Sequence, residues 1–259
     1  MRIIFLGTGD AGGVPLYGCD CMACIRARTD QTLKRGPCSA LVEDGATRIL
    51  LDAGLMDLTE RFPPASLSAI VLTHFHPDHV QGLFHLRWGC GTPIPVHAPP
   101  DSEGCADLFK HPGLLEFKRL AKFEPVKIGT LSITPLPLIH SKVTYGYAIE
   151  SAEGARFAYL TDTVGLPPNT IEFLRNWQPD GMAIDCSHPP CDQPARNHND
   201  WNQARSLVDD IKPQRTWLTH MGHDVDQWLL QHPQTLPPNI ALARDGLQVD
   251  FTEYREQSS

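Results

Sequence analysis

Thr73-His74-Phe75-His76-Pro77-Asp78-His79 carries three imidazoles and a carboxylate within the six positions 74–79. At this chain's own residue frequencies a fixed four-residue arrangement of that kind arises by chance in roughly two chains per thousand. Such a density of ligand types argues against a merely solvated loop. His74 and His76 stand two apart, so on extended backbone their rings point to the same side and can grip one ion. Asp78 and His79, at the start of the next expected helix, face a second.

The stretch is preceded by an apolar run over 69–73. Working outward, similar runs recur at 2–6, 39–43, 47–52, 94–97, 131–136, 144–150, 155–161, 181–185, 215–219, 239–243 and 247–251. Many are rich in Ile, Leu, Val or Thr and end at Gly, Pro or Asp, which favours strands. Helices are expected near 20–30, 79–88, 103–110, 168–176, 200–211 and 224–232, with Asp200 and Asp224 as N-caps. Strands interleaved with helices through both halves make a layered α/β protein. With no repeat, heptad or charge block, one continuous domain over 1–259 is the economical reading, its tail from Glu253 to Ser259 fraying.

Thirty acidic residues against 22 basic ones give a net charge of −8. No global basic field exists to attract a polyanion, so nucleic acid is disfavoured as a partner. The opening apolar run is too short for a signal peptide, and no run approaches the ~18 apolar residues of a membrane span. A cytoplasmic location with no membrane partner is therefore expected. Thiols stay reduced there, so the eight cysteines read as metal ligands or small buried residues.

One loop cannot close two coordination spheres. His140, Asp162 and His220 fall at the ends of expected strands, where sites are commonly assembled. Each alone reads as well as a structural residue; together they supply one histidine per ion and a carboxylate able to bridge both. Paired ions about 3.5–4 Å apart can hold a hydroxide between them and stabilise both oxygens of an in-line displacement. These donors suit two divalent ions, Zn²⁺ or Mn²⁺ alike.

Cys19-Asp20-Cys21-Met22-Ala23-Cys24 offers three thiolates in six positions. A structural zinc wants four ligands in a closed tetrahedron, and His223, three residues after His220, is the best candidate for the fourth. Packing is the expected fate of Cys38, Cys90, Cys105, Cys186 and Cys191, which lack such spacing. In Pro194-Ala195-Arg196-Asn197-His198-Asn199-Asp200 a histidine sits in a loop just before a helix. His198 reads either as a surface imidazole or as a general acid to a departing alkoxide. His188 adds another histidine at a strand end.

The opening Gly7-Thr8-Gly9, the His-Phe-His-Pro-Asp-His loop and the later His140, Asp162 and His220 resemble the metallo-β-lactamase superfamily over nearly the whole chain, in the same motif order. The resemblance implies a four-layer αββα sandwich with a dinuclear site at one edge of the strands. It also implies His74, His76 and His140 on one ion, Asp78, His79 and His220 on the other, and Asp162 bridging. The cysteine loop, Asp52-Ala53-Gly54-Leu55, His140-Ser141-Lys142, Asp185-Cys186-Ser187-His188 and Asn197-His198 resemble, more narrowly, the PhnP family of cyclic-phosphate phosphodiesterases in the carbon–phosphorus lyase pathway.

That narrower resemblance implies a zinc at the cysteine loop, His198 and Asp78 as catalytic residues, and a homodimer. The implied substrate is a small phosphorylated sugar, 5-phospho-α-D-ribose 1,2-cyclic phosphate, opened to ribose 1,5-bisphosphate in phosphonate breakdown. Its distant 5-phosphate needs a cation, for which Lys142 and Arg196 stand near ligands in sequence; either reads as well as a solvated charge. The family's Asn-His-Cys is Asn197-His198-Asn199 here, which keeps the imidazole and changes its neighbour. Rival readings share the fold. A tRNA 3′-processing nuclease would carry a basic arm that this chain lacks, and thioester or lactone hydrolases use the same ligands. Accessory proteins of cofactor biosynthesis tend to lose part of the histidine set, whereas all seven ligand positions are filled here.

Overall fold

The computed structural model describes residues 1–192 and 196–251, so the expected fraying of 253–259 lies outside the described residues. Two seven-stranded sheets stack face to face. The first contains β1 (Arg2–Gly7), β2 (Ser39–Asp44), β3 (Thr47–Leu51), β4 (Ala69–Val71), β5 (Ile94–Ala98), β6 (Leu115–Arg119) and β14 (Gln248–Asp250), in the order β14-β1-β2-β3-β4-β5-β6. The second runs β13-β12-β11-β10-β9-β8-β7, from β7 (Val126–Ile128), β8 (Leu131–Pro137), β9 (Tyr145–Glu150), β10 (Arg156–Leu160), β11 (Gly181–Asp185), β12 (Arg215–Thr219) and β13 (Ile240–Leu242). Each sheet changes from antiparallel to parallel pairing partway across, at β3 to β4 in the first and at β10 to β11 in the second.

The apolar runs are continuous because both faces of these strands are covered. Along β10, Phe157 and Tyr159 enter the core between the sheets while Ala158 and Leu160 pack outward against helices. β3 divides the same way, Ile49 and Leu51 inward and Leu50 outward. The outer layer on the first sheet comes from α2 (Leu58–Arg61), α3 (Pro77–Val80), α4 (Leu83–Leu86) and α5 (Ala106–Lys110), through Leu58, Val80, Leu83 and Leu108. On the second sheet it comes from α6 (Pro168–Trp177), α7 (Trp201–Ile211) and α8 (His223–Gln231), through Leu174, Val208 and Val225. The result is the αββα sandwich, with α1 (Met22–Thr29) laid beside α8. Among the described residues no helix is long and apolar enough to cross a membrane.

Several expected elements change. The helix over 79–88 is two short helices, α3 and α4, and the one near 103–110 shrinks to α5. β6 and β7 are strands where none was expected. Asp200 caps α7 in a capping box with Gln203, as its position promised. Asp224 is not an N-cap: α8 begins at His223 with Gly222 in that place, and the Asp224 carboxylate accepts from the N–H of Val225. Burial of thiols holds for Cys38 and Cys186, whereas Cys90 and Cys191 are exposed.

Candidate active site

The carboxyl ends of the parallel strands at a switch in sheet topology are where open sheets gather ligands. Here the turn after β4 supplies His74 and His76, α3 supplies Asp78 and His79, and the segments after β8, β10 and β12 supply His140, Asp162 and His220. Close backbone approach sets the first of these. A Cβ on Gly54 would lie 1.6 Å from the Asp78 carbonyl oxygen, so only glycine lets the chain after β3 pass under α3. Ala53 then donates its N–H to the His79 carbonyl at 2.8 Å.

The seven expected donors fall into two adjoining groups. His74 Nε2 lies 2.8 Å from His76 Nδ1, which lies 3.1 Å from His140 Nε2. His79 Nε2 is 3.2 Å from Asp162 Oδ2 and 3.3 Å from Asp78 Oδ2, and His220 Nε2 is 3.2 Å from Asp162 Oδ1. Asp162 Oδ1 also stands 3.8 Å from His74 Nε2, so its carboxylate faces both groups. Donors at 2.0–2.1 Å around one tetrahedral ion would stand about 3.3 Å apart. The observed spacings fit an ion in each group. The buried Nε2 atoms of His79 and His220 have no hydrogen-bond partner among the described residues, an exception that a ligated ion would explain.

Electrostatics divide the two groups. Burial lowers the pKa of His74, His76 and His140, leaving neutral rings with a lone pair to offer. Around Asp162 the sign reverses. Against burial, which by itself would lower it, the Asp162 carboxylate raises His79 well above its usual value and His220 to about 10. Asp162 itself is held well below the carboxylate range despite burial, first by His220 and then by His79. Asp78 also raises His220, and two such carboxylates that hold protons on their neighbours would favour a divalent cation in the same place.

Two aspartates orient the ligands from behind, each in the same way. Asp52 accepts from His79 Nδ1 at 2.9 Å and from the Thr73 hydroxyl at 2.9 Å, and that hydroxyl lies 3.0 Å from His74 Nδ1. Asp185 lies 2.8 Å from His198 Nδ1 and accepts from the Ser187 hydroxyl at 2.8 Å, and that hydroxyl lies 2.9 Å from His220 Nδ1. Each aspartate thus fixes one imidazole directly and a second through a hydroxyl, which leaves Nε2 of His74, His79 and His220 aimed at the donor groups. The roles of Asp52, Thr73 and Ser187 were not legible in sequence, though Asp52 closes an apolar run as Asp162 nearly does. Asp52, Asp162 and His220 all take left-handed backbone, with φ of 59°, 59° and 55°.

A cleft of about 370 Å³ opens onto both groups, and His198 lines it. The His198 ring stacks on His220 with centroids 4.7 Å apart and planes 12° from parallel, and stands 5.0 Å from His140. The carbonyl of Asn197 accepts from His140 Nδ1 at 3.0 Å, so the loop carrying His198 also steadies a donor. Neither Lys142 nor Arg196 is among the described residues lining the cleft. Lys142 points toward Asp101 at 4.0 Å, and Arg196 is exposed next to the undescribed positions 193–195. His188 does line it, its pKa raised by the Asp224 carboxylate 3.7 Å away.

A third group lies apart. Cys19 and Cys21 Sγ stand 3.4 and 3.5 Å from His223 Nδ1, and all four donor atoms, Cys24 included, lie within 4.8 Å of one another. Zinc–sulfur and zinc–nitrogen bonds of ordinary length put such atoms about 3.5 Å apart.

Residues 47–221 match the family model of the beta-lactamase superfamily domain. An octanoyltransferase of Porphyromonas gingivalis is 30% identical over 272 residues, covering 98% of this chain and 52% of that protein. Coenzyme PQQ synthesis protein B of Azotobacter vinelandii is 29% identical over 182 residues, covering 65% of this chain and 55% of that protein. The chain spans about half the length of these curated relatives. Among solved structures, a diphosphatase from the PhnP family has a TM-score of 0.80 at 29% identity, covering 97% of this chain and 98% of that one. Zn²⁺-bound PqqB from Methylobacterium extorquens shares the fold, with a TM-score of 0.76 at 21% identity over 97% of this chain and 100% of that one.

Proposed function

The chain belongs to the metallo-β-lactamase superfamily, and on that premise we propose that this hydrolase is a dinuclear metal-dependent phosphodiesterase whose substrate is 5-phospho-α-D-ribose 1,2-cyclic phosphate. The observation that carries the reading is the pair of donor groups joined by Asp162 with His198 stacked at their mouth. His74, His76 and His140 would hold one ion, Asp78, His79 and His220 the other, and Asp162 would touch both. Such a pair of Zn²⁺ or Mn²⁺ ions supplies Lewis acidity to a phosphoryl group and an acidified water at neutral pH. Cys19, Cys21, Cys24 and His223 would hold a structural zinc outside the chemistry.

The chain's own residues do the rest. Asp185 holds the His198 Nδ1–H, which turns Nε2 toward the cleft, where it protonates the departing ribose 2-oxygen. A cyclic ester has an alkoxide leaving group, and such a group needs an acid. Of the cationic side chains offered by the sequence, His188 is better placed than Lys142 to meet the remote 5-phosphate. Seven convergent donors favour a hydrolase over an accessory protein with an incomplete set. A homodimer free of nucleic-acid and membrane partners belongs to the same proposal. The test is ³¹P NMR of phosphoribosyl cyclic phosphate beside 2′,3′-cyclic nucleotides, with metal analysis of the same sample. Conversion to ribose 1,5-bisphosphate with three ions per chain is expected. A chain holding one zinc at the cysteines and opening neither ester overturns the reading.

A further inference from the structure

A second cavity, of about 230 Å³, lies between α1 and α8 and shares no lining residue with the catalytic cleft. Its charge runs against that of the molecule. In a chain of net charge −8, this one concavity gathers Arg26, Lys34, Arg35 and Arg244 with a single acid, Asp226. Arg35 is buried and takes both oxygens of Asp226, at 2.7 and 3.0 Å, while also donating to the Ala243 carbonyl and the Thr8 hydroxyl. That pair is self-contained. Among the described residues, Arg26, Lys34 and Arg244 have no ion-pair partner. Asp30, an acid that acts electrostatically on both arginines, already accepts from the Thr32 N–H at 2.9 Å and hydroxyl at 2.7 Å.

The rest of the wall is mostly apolar, with Leu33, Leu229, Leu236 and Leu242, and carries Thr32 and His232 as well. A cavity with a cationic mouth and a leucine floor discriminates by both features at once. Inorganic anions leave the leucines wet, and neutral apolar molecules gain nothing from the three exposed cations. At about 230 Å³ the space suits a small molecule such as a short fatty acid rather than a long-chain one. We propose that this cavity is a binding site for a small anion with an apolar body, a short alkyl or aryl carboxylate or phosphate ester.

Its position gives the site a consequence. α1 carries Cys24 and α8 begins at His223, so a ligand touching Arg26 on α1 and Leu229 on α8 would brace the same two helices that the cysteine cluster joins. The inference is independent of the phosphodiesterase reading, because none of these residues meets the catalytic cleft.

The test is calorimetric titration of the full metal-loaded chain with hexanoate, butyl phosphate, 1-hexanol, acetate and inorganic phosphate. Saturable binding of hexanoate or butyl phosphate is expected, at least tenfold tighter than of the other three, and the stronger of the two identifies the head group. The exposed double substitution Lys34→Ala with Arg244→Ala should weaken it tenfold or more while leaving hydrolysis and ligand-free melting unchanged. Three outcomes overturn the proposal. They are binding that survives the double substitution, binding lost instead in Asp162→Ala and hence at the catalytic ions, and binding of phosphate or acetate as tight as that of hexanoate.

Discussion

The two donor clusters of this molecule are built on opposite plans. The cysteine cluster takes three donors from one six-residue stretch, 19–24, that runs into α1, and borrows a fourth from the start of α8. The histidine–aspartate cluster takes seven donors from four strand ends spread over both sheets, and behind them stand Asp52 and Asp185, each orienting two imidazoles. Cys19 and Cys21 are half-buried beside a buried Cys24, whereas four of the seven donors, His74, His79, Asp162 and His220, are buried and the other three half-buried. A local cluster draws its order from the ion; a distributed one is ordered by the core beneath it. Removing the ion should therefore loosen the first and leave the second standing.

The largest effect expected is at the carboxylate shared by both donor groups. Asp162→Ala should cut hydrolysis by more than about 10³-fold, since it strips a donor from each side at once. Metal analysis should show the catalytic ions reduced and the cysteine-bound ion retained, and retention of both catalytic ions would break the bridging assignment. Next comes Cys24→Ala, which should cost on the order of 4 kcal/mol of stability through loss of the zinc proposed to tie α1 to α8. Urea unfolding measures it, and the folded fraction should keep its turnover per catalytic metal pair. An inactive but fully stable variant would reverse the contrast between the clusters.

His198→Ala sharpens the boundary between ion-binding and acid roles. Turnover of an alkyl phosphodiester should fall about 10²-fold or more, against little change for an aryl ester with a good leaving group. Equal losses on both substrates sink the acid assignment. The smallest effect is expected behind the ligands, where Asp52→Asn should weaken catalytic metal binding by roughly 10–100-fold without moving the cysteine site. Titration with a metal-competing dye checks it.

What could be read in advance follows the same division. His74, His76, Asp78 and His79 are dense enough in sequence to announce themselves, and so are the three cysteines. His140, Asp162 and His220 were legible because they end apolar runs, where α/β sites gather. Their supporting groups were not, because an aspartate behind a ligand is indistinguishable from a strand terminator until the sheets stack. β6 is an edge strand whose exposed Glu116, Lys118 and Arg119 interrupt any apolar run. β7, three residues long at the other sheet's edge, is too short to show a period. Asp224 failed as a cap because α8 begins at His223, two residues before the Val225 start that an Asp224 cap would set.

The left-handed backbone at Asp52, Asp162 and His220 sets a conflict that selection experiments would expose. Each such position costs a non-glycine residue of order 1–3 kcal/mol, a cost that glycine removes. Glycine at 52, 162 or 220 would relieve that backbone cost, but it would delete a ligand or the group that orients one and leave buried partners such as the Thr73 N–H and His79 Nδ1 without an acceptor. Backbone ease and site chemistry are thus opposed at three defined codons, and a screen that reads turnover as well as heat resistance is the one that would keep the site intact.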